Sequence, residues 1–163
     1  MLKLDEAMLK NIEQYRDAVK RLFDSDSTEM FPNNNEEHTA VIINEIFCHA
    51  QQEVKIFCSC LNHDVWDDTK IKESFLEAIK RGVIFKIVTQ KEIDKETKLK
   101  NTFEEFHVPI KEKVADYLTN NFIVADKKMF RFEENASERH AFACANSPKI
   151  AAKLDEAFNM IFS

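Results

Sequence analysis

Two cysteines and two histidines are the residues of this sequence that most suggest metal chemistry. Cys58, Cys60 and His63 follow one another closely, and His49 lies upstream. Thiolates and imidazoles bind zinc, but structural zinc sites pair cysteines with about two to four residues between them. Cys58 and Cys60 have one residue between them, which on a strand points both side chains to the same face of a sheet. This spacing predicts small core side chains, and we expect no metal ion and no cofactor.

The segment 62–68 contains a second group of side chains that could do chemistry. It holds His63, Asp64 and Trp66, and it follows a run of residues that predicts a strand. Loops at strand ends line the ligand crevice in many α/β sheets. One hypothesis is therefore a binding loop formed by these three residues. The other is a polar connection whose tryptophan packs on the domain, and this is the interpretation we favour.

The composition excludes several classes of function. The chain has 163 residues and one glycine, Gly82, which excludes the glycine-rich phosphate loops of nucleotide-binding enzymes. Its net charge is −6, whereas nucleic-acid-binding domains carry a basic face, so the balance argues against a nucleic-acid partner. No apolar run is long enough for a transmembrane helix, and acids stand near the N-terminus where a signal peptide is apolar. We expect a cytoplasmic protein with free thiols and no membrane contact.

Apolar periodicity predicts the helices and strands that must position these residues. Helices are predicted at 2–24, 37–51, 69–81, 92–106 and 148–162. Strands are predicted at 53–61, 83–89, 108–112, 121–125, 129–132 and 140–145. The strand–helix–strand order of 53–89 predicts parallel strands with a right-handed crossover. Gly82 marks the end of that crossover helix, and 126–128 predict a hairpin turn.

The N-terminal part of the chain divides from the rest at a polar segment. Residues 25–37 read as a linker, so we expect an amphipathic helix and linker at 1–36 and an α/β domain at 37–163. The apolar stripe of that helix consists of Met8, Ile12, Tyr15, Val19 and Leu22. The stripe either folds back on its own domain, which we favour, or contacts a second copy of the chain.

The order of elements from 37 to 163 resembles half of the phospholipase D superfamily. The stretches EVKIFCSCL and IKESFLEAIKRGVIFKIVT look like the first strand, crossover helix and second strand of that family. TNNFIVADKKMFRFEE sits where the family motif belongs, and SPKIAAKLDEAFNMIF looks like its closing helix. The resemblance implies an α/β fold, a phospholipase D-like mixed β-sheet flanked by helices, here with an extra N-terminal helix.

The catalytic motif of the resembled family is degenerate in this chain. The family carries His-x-Lys-x4-Asp on one strand and Gly-Ser at the end of the next. The resemblance aligns Thr119 with the histidine, Asn121 with the lysine and Asp126 with the aspartate. Glu133 and Glu134 fall near the Gly-Ser pair. The resemblance therefore implies a vestigial cleft formed by these five residues, with no catalytic residue.

The missing residues decide which functions we expect. The family reaction needs a histidine nucleophile, a second histidine as general acid and lysines that hold the phosphoryl group. We therefore expect a non-catalytic binding or regulatory module that acts through protein contacts or self-association. The alternative is a phosphodiesterase or nuclease-type enzyme with a relocated active site, in which His63 or His140 would face the cleft of Asn121.

Overall fold

The fold was analysed in a computed structural model, in which residues 4–112, 120–135 and 140–163 are described. Within these ranges the chain forms seven helices and seven strands. The helices are α1 (Glu6–Lys10), α2 (Ile12–Asp24), α3 (Glu36–His49), α4 (His63–Trp66), α5 (Thr69–Lys80), α6 (Leu99–Glu105) and α7 (Pro148–Phe162). The strands are β1 (Phe31–Asn33), β2 (Glu53–Cys58), β3 (Ile84–Thr89), β4 (Ile110–Glu112), β5 (Phe122–Ala125), β6 (Met129–Asn135) and β7 (His140–Cys144).

All seven strands form one mixed sheet in the order β1-β7-β6-β5-β2-β3-β4. The strands β2, β3 and β4 are parallel, and β2 also pairs antiparallel with β5, which continues into β6, β7 and β1. The predicted α/β class with a mixed sheet flanked by helices is therefore confirmed. Parallel pairing of β2 and β3 follows from the crossover through α5, which Gly82 ends with a φ of 86°.

Helices cover both faces of the sheet because successive side chains of each strand point to opposite faces. On one face Ile56 and Ile123 pack with α3, whose Ile42, Ile46 and Phe47 are fully buried. On the other face Phe57, Phe122 and Val124 pack against α7 through Ala151, Phe158 and Ile161. In the described residues no helix is long and apolar enough to cross a membrane.

A buried ion pair joins the central strand β2 to α7. The Lys55 Nζ lies 2.7 Å from the Asp155 Oδ1, and the two side chains are 6% and 5% exposed. Glu53, also on β2 and more exposed, brings its Oε1 within 3.2 Å of the same ammonium. An apolar helix–sheet interface thus contains two charges, which among the described residues are compensated by each other, by Glu53 and by a long hydrogen bond from the Asn159 Nδ2 to Asp155.

The predicted N-terminal helix at 2–24 is two helices, α1 and α2, in the described residues. Asn11 separates them, because its side chain accepts hydrogen bonds from the backbone N–H groups of Glu13 and Gln14 and thereby begins α2. Helix α2 buries Tyr15, Val19 and Leu22, as well as Ala18 and Phe23, against its own domain.

The segment predicted as a linker contains the edge strand β1. Phe31–Asn33 pairs antiparallel with Ala141–Ala143 of β7. Pro32 has no N–H to donate, and its carbonyl accepts a hydrogen bond from the Tyr15 hydroxyl at 2.9 Å. The strand is too short to leave a periodic pattern in a polar sequence, so the tertiary contact with α2 and β7 defines it.

Two other segments differ from the sequence predictions. Residues 63–66 form the short helix α4 where a loop was predicted. The helix predicted at 92–106 contains only Leu99–Glu105, because Asp94 and Asp67 hold the preceding backbone by hydrogen bonds to the N–H groups of Glu96, Lys98 and Leu99. Side-chain acceptors of this kind compete with the helix for the same backbone donors.

Candidate functional site

A cavity of about 210 Å³ opens where β2 ends and β5 begins. Its walls come from β1, the start of α3, the segment after β2, α4, and the paired strands β5 and β6. The polar lining residues are Asn33, Asn35, Glu36, Thr39, Ser59, Asn62, Asn121, Arg131 and Glu133. The rest of the lining is apolar apart from the Cys58 thiol, whose pKa burial raises to about 12, so the thiol stays protonated.

Arg131 is the only cation among the described residues that line this cavity. It is 7% exposed and projects from β6 towards α3. Its Nε donates to the Asn33 Oδ1 at 2.7 Å, and its Nη2 donates to the Thr39 Oγ1 at 3.2 Å. Burial lowers the pKa of the guanidinium, although the neighbouring Glu133 carboxylate opposes that effect.

Glu133, on the same strand as Arg131, and Asn121, directly before β5, continue the polar network. The Glu133 Oε1 lies 3.7 Å from the Arg131 Nη2, and its Oε2 accepts a hydrogen bond from the Asn121 Nδ2 at 2.7 Å. The Asn121 Oδ1 in turn accepts from the Gln90 Nε2 at 2.9 Å. Each of these polar groups therefore already has a partner within the protein, and the network is held rigidly.

Carboxylates outnumber cations among the described residues that line the cavity. Two carboxylates, Glu36 and Glu133, and one guanidinium, Arg131, are its charged groups among the described lining residues.

The two hydroxyl groups of the cavity donate to neutral acceptors. Thr39 donates to the Asn33 Oδ1 at 3.0 Å, and Ser59 lies next to the weakly polar Cys60 sulfur at 3.9 Å. All five histidines of the chain belong to the described residues, and none of them lines the cavity. A serine or threonine nucleophile requires such a base within hydrogen-bond reach.

The residues predicted to form the vestigial cleft are only partly brought together. Asn121 and Glu133 line the cavity and share a hydrogen bond. Glu134 is exposed and does not line the cavity. Thr119 lies outside the described residues. The alternation of side chains along β6 explains the difference between the two neighbouring glutamates.

Asp126 lies at the opposite end of β5 from the cavity. Its Oδ1 accepts hydrogen bonds from the backbone N–H groups of Gln52 and Glu53, and its Oδ2 accepts from that of Gln51, at 2.8–2.9 Å. Its φ of 55° is in the left-handed region, as is that of Lys127, and the two residues form the hairpin turn to β6. Asp126 therefore ties the α3–β2 turn to the β5–β6 hairpin and does not contact a ligand in the cavity.

Substitution Asp126→Asn is expected to lower the free energy of unfolding by about 1.5–3 kcal/mol. The amide keeps one acceptor oxygen and tolerates a positive φ, but its NH₂ group faces a backbone N–H. Urea unfolding measures the loss. The control is Asp26→Asn, which also has a positive φ. Its carboxylate makes an exposed ion pair with Lys128 and accepts a long hydrogen bond from the Asn146 Nδ2, so we expect a change below about 1 kcal/mol. Equal losses in the two variants would contradict this role.

The predicted binding loop also separates into different environments. Trp66 is buried, packs near Phe47 with ring centroids 6.5 Å apart, and lines the cavity. His63 does not line it, and its Nδ1 lies 2.7 Å from the Asp94 Oδ2. The hydrogen bond with Asp94 raises the pKa of His63, so the imidazolium is favoured. Asp64 is exposed and faces the His63 Nε2 at 3.2 Å.

Among the described residues, His140 does not lie in one site with Cys58 and Cys60. His140 is exposed at the start of β7 and does not line the cavity of Asn121. Among the described residues, neither of the clusters with metal-ligand geometry includes Cys58 or Cys60.

The sequence prediction missed Arg131, Asn33 and Thr39, which form a polar cluster in the cavity wall with a buried contact between Arg131 and Asn33. One signal was present in the sequence. Arg131 stands between two phenylalanines in the strand Met129-Phe130-Arg131-Phe132, and a charged residue in such a strand must be exposed or paired. Its partner Asn33 is 98 positions away, so spacing alone does not connect the two.

Comparison with known proteins identifies the fold. No protein-family profile and no curated protein matches the sequence. The structure is similar to the phospholipase D family member Nuc from Salmonella typhimurium, with a TM-score of 0.58 and 15% identity over 82% of this chain and 92% of that chain. For NucT from Helicobacter pylori the TM-score is 0.53, with 15% identity over 82% of this chain and 94% of that chain.

A third solved structure covers more of this chain. TrmBL2, an archaeal chromatin protein whose structure shows a novel mode of DNA binding, has a TM-score of 0.58 and 16% identity over 96% of this chain and 64% of that chain. At sequence identities of 15–16%, these structural similarities establish only the fold. The resemblance inferred from element order is thereby confirmed, and the fold is phospholipase D-like.

Proposed function

We propose that this chain is a non-catalytic binding module on a phospholipase D-like fold, which takes a small neutral or cationic polar molecule into its cavity and acts through protein contacts. The observation that supports this most directly is the internal pairing of Arg131 with Asn33, Thr39 and Glu133. A phosphodiesterase needs cations that are free to hold phosphoryl oxygens and an imidazole that attacks phosphorus. The cavity's guanidinium is already engaged, and none of the five histidines lies there.

The charge of the cavity supports a neutral or cationic ligand. A phosphate placed beside Glu133 or Glu36 would meet a like charge, which at ~4 Å and an effective dielectric near 20 costs roughly 4 kcal/mol. Amide groups at Asn33, Asn62 and Asn121 line the same cavity. Asn33 donates one amide N–H to the Asn35 carbonyl, and Asn121 donates one to Glu133. The second N–H of each amide is then the group that a polar ligand would engage.

Helix α3 connects the cavity to the N-terminal helices. Thr39 and Ile43 of this helix line the cavity, while His38 stacks on Tyr15 of α2 with ring centroids 3.7 Å apart. The His38 Nε2 also lies 3.0 Å from the backbone carbonyl oxygen of Leu9 in α1. A ligand that shifts α3 would change the packing of α1 and α2, and their outer surface is where a partner protein or a second copy would sense it.

A thermal-shift screen combined with a hydrolysis assay tests this function. The probes are amines, amides and polyols, with inorganic phosphate and a duplex DNA oligonucleotide as comparators. We expect at least one neutral or cationic probe to raise the Tm saturably, phosphate and DNA to have no effect, and bis(p-nitrophenyl) phosphate to remain intact. Asn121→Ala should weaken the binding about two- to tenfold, since one hydrogen bond is lost.

The matched control is Asn101→Ala, which alters an exposed asparagine on α6, far from the cavity lining. We expect this variant to bind as the parent does. Turnover of bis(p-nitrophenyl) phosphate that Asn121→Ala abolishes would favour the relocated enzyme instead. Saturable binding of DNA would favour a nucleic-acid-binding module.

A further inference from the structure

Asp24, Glu45 and His49 meet where the end of α2 packs on the second half of α3, away from the cavity. One ligand atom from each of the three side chains lies within 4.8 Å of the others. Glu45 and His49 are four residues apart on α3, so both side chains lie on one face of the helix. The spacing across two helices explains why the sequence alone indicates no metal site here.

The hydrogen bonds of His49 leave its other ring nitrogen facing an acceptor. Its Nδ1 lies 2.9 Å from the backbone carbonyl oxygen of Glu45, which can only accept, so Nδ1 carries a proton. In the neutral imidazole the Nε2 atom then carries a lone pair and no hydrogen. This atom lies 2.9 Å from the Asp24 Oδ1. Two acceptors at this distance require a cation between or beside them, either a proton or a metal ion. A histidine oriented by a backbone carbonyl through one nitrogen is the usual state of a metal ligand.

Glu45 supplies a second and independent indication. The residue is 6% exposed and no hydrogen bond to its carboxylate is seen among the described residues, but its oxygens are not fully enclosed, so solvent and ions can reach them. Buried carboxylates are normally paired or bound to a metal.

We propose that Asp24, Glu45 and His49 bind one divalent transition-metal ion, and that zinc fits the donor set. Zinc accepts imidazole nitrogen and carboxylate oxygen at about 2.0–2.2 Å, and three protein ligands with a water in the fourth position are common. The two carboxylates match the charge of the ion. Lys20 donates to the Asp24 Oδ2 at 2.6 Å, which leaves Oδ1 for the metal.

A second cluster of the same composition lacks these features and serves as the control. His63, Asp94 and Glu96 also meet the metal-ligand spacing. However, Asp94 accepts hydrogen bonds from the backbone N–H groups of His63 and Glu96, which hold its pKa at about 2. Glu96 is exposed. No buried carboxylate in this cluster lacks a donor.

Titration of the metal-free full chain with ZnCl₂, followed by calorimetry and by the Tm, tests the site. We expect one saturable site and a Tm rise of about 5–10 °C when zinc exceeds the Kd about 100-fold. Glu45→Gln and His49→Ala should each weaken zinc binding at least about tenfold. His63→Ala and Cys48→Ser, which alters the exposed thiol on α3, should bind zinc like the parent.

Stability in EDTA distinguishes a metal site from a structural cluster. Glu45→Gln is expected to be at least as stable as the parent without metal, because it removes a buried charge, yet to gain no Tm when zinc is added. Zinc binding that Cys48→Ser or His63→Ala abolishes, or that Glu45→Gln leaves unchanged, would overturn the proposal, as would the absence of a saturable site. The cavity and its ligand are not involved, so this result is independent of the proposed function.

Discussion

Replacing Lys55 with methionine is expected to lower the free energy of unfolding by about 3–5 kcal/mol. Lys55 and Asp155 are both buried between β2 and α7, with their charged atoms 2.7 Å apart. The variant leaves the Asp155 carboxylate in an apolar interface, where the hydrogen bond from Asn159 at 3.4 Å is long and weak. Guanidinium chloride unfolding of parent and variant measures the difference.

The double variant Lys55→Met with Asp155→Leu separates the lost ion pair from lost packing. A buried ion pair replaced by apolar residues of similar volume is often neutral for stability. We therefore expect the double variant to recover most of the loss seen in Lys55→Met. If the double variant is as unstable as the single one, the cost comes from packing at Lys55 and the electrostatic explanation is wrong.

The single substitution Arg131→Met is also expected to lower the free energy of unfolding by about 3–5 kcal/mol. The substitution removes the hydrogen bonds to Asn33 and Thr39 and leaves Glu133 without its cation in the cavity wall. Arg131→Lys should recover only part of the loss, since one ammonium group cannot reproduce the planar fork that reaches both partners. Chemical denaturation of the three proteins gives the comparison.

A companion variant shows whether the loss at Arg131 is electrostatic. Arg131→Met combined with Glu133→Gln removes the uncompensated carboxylate, while Asn121 keeps a partner in the glutamine side chain. We expect the pair to be more stable than Arg131→Met alone. A loss below about 1 kcal/mol in Arg131→Met would mean that water in the cavity solvates Glu133 as well as the guanidinium does.

The sequence predicted the elements that are long and locally encoded. The strand at Glu53–Cys58, the helix at Thr69–Lys80 and the strand at Ile84–Thr89 were each indicated by apolar periodicity or composition, with Gly82 at the boundary. In contrast, α4 has four residues and β1 has three. Elements this short carry no period, and their geometry depends on contacts with distant parts of the chain.

The candidate site was harder to predict because its groups converge from distant positions. Asn33 and Arg131 are joined by a hydrogen bond between side chains 98 positions apart. The motif alignment placed Asn121 at the cavity, but it grouped Asp126 with the same cleft. A strand rises about 3.3 Å per residue, so two side chains at either end of β5 lie too far apart for one small site.

The short edge strand β1 has a consequence for assembly. Unpaired backbone groups on an outer strand are a template for adding another strand and, eventually, for aggregation. Here Pro32 presents no donor, and the Tyr15 hydroxyl already occupies its carbonyl. The opposite outer strand, β4, has three residues in the described part of the chain. Addition of a strand from a second molecule is therefore discouraged at the β1 edge of the sheet, where the backbone offers neither a donor nor a free acceptor at Pro32.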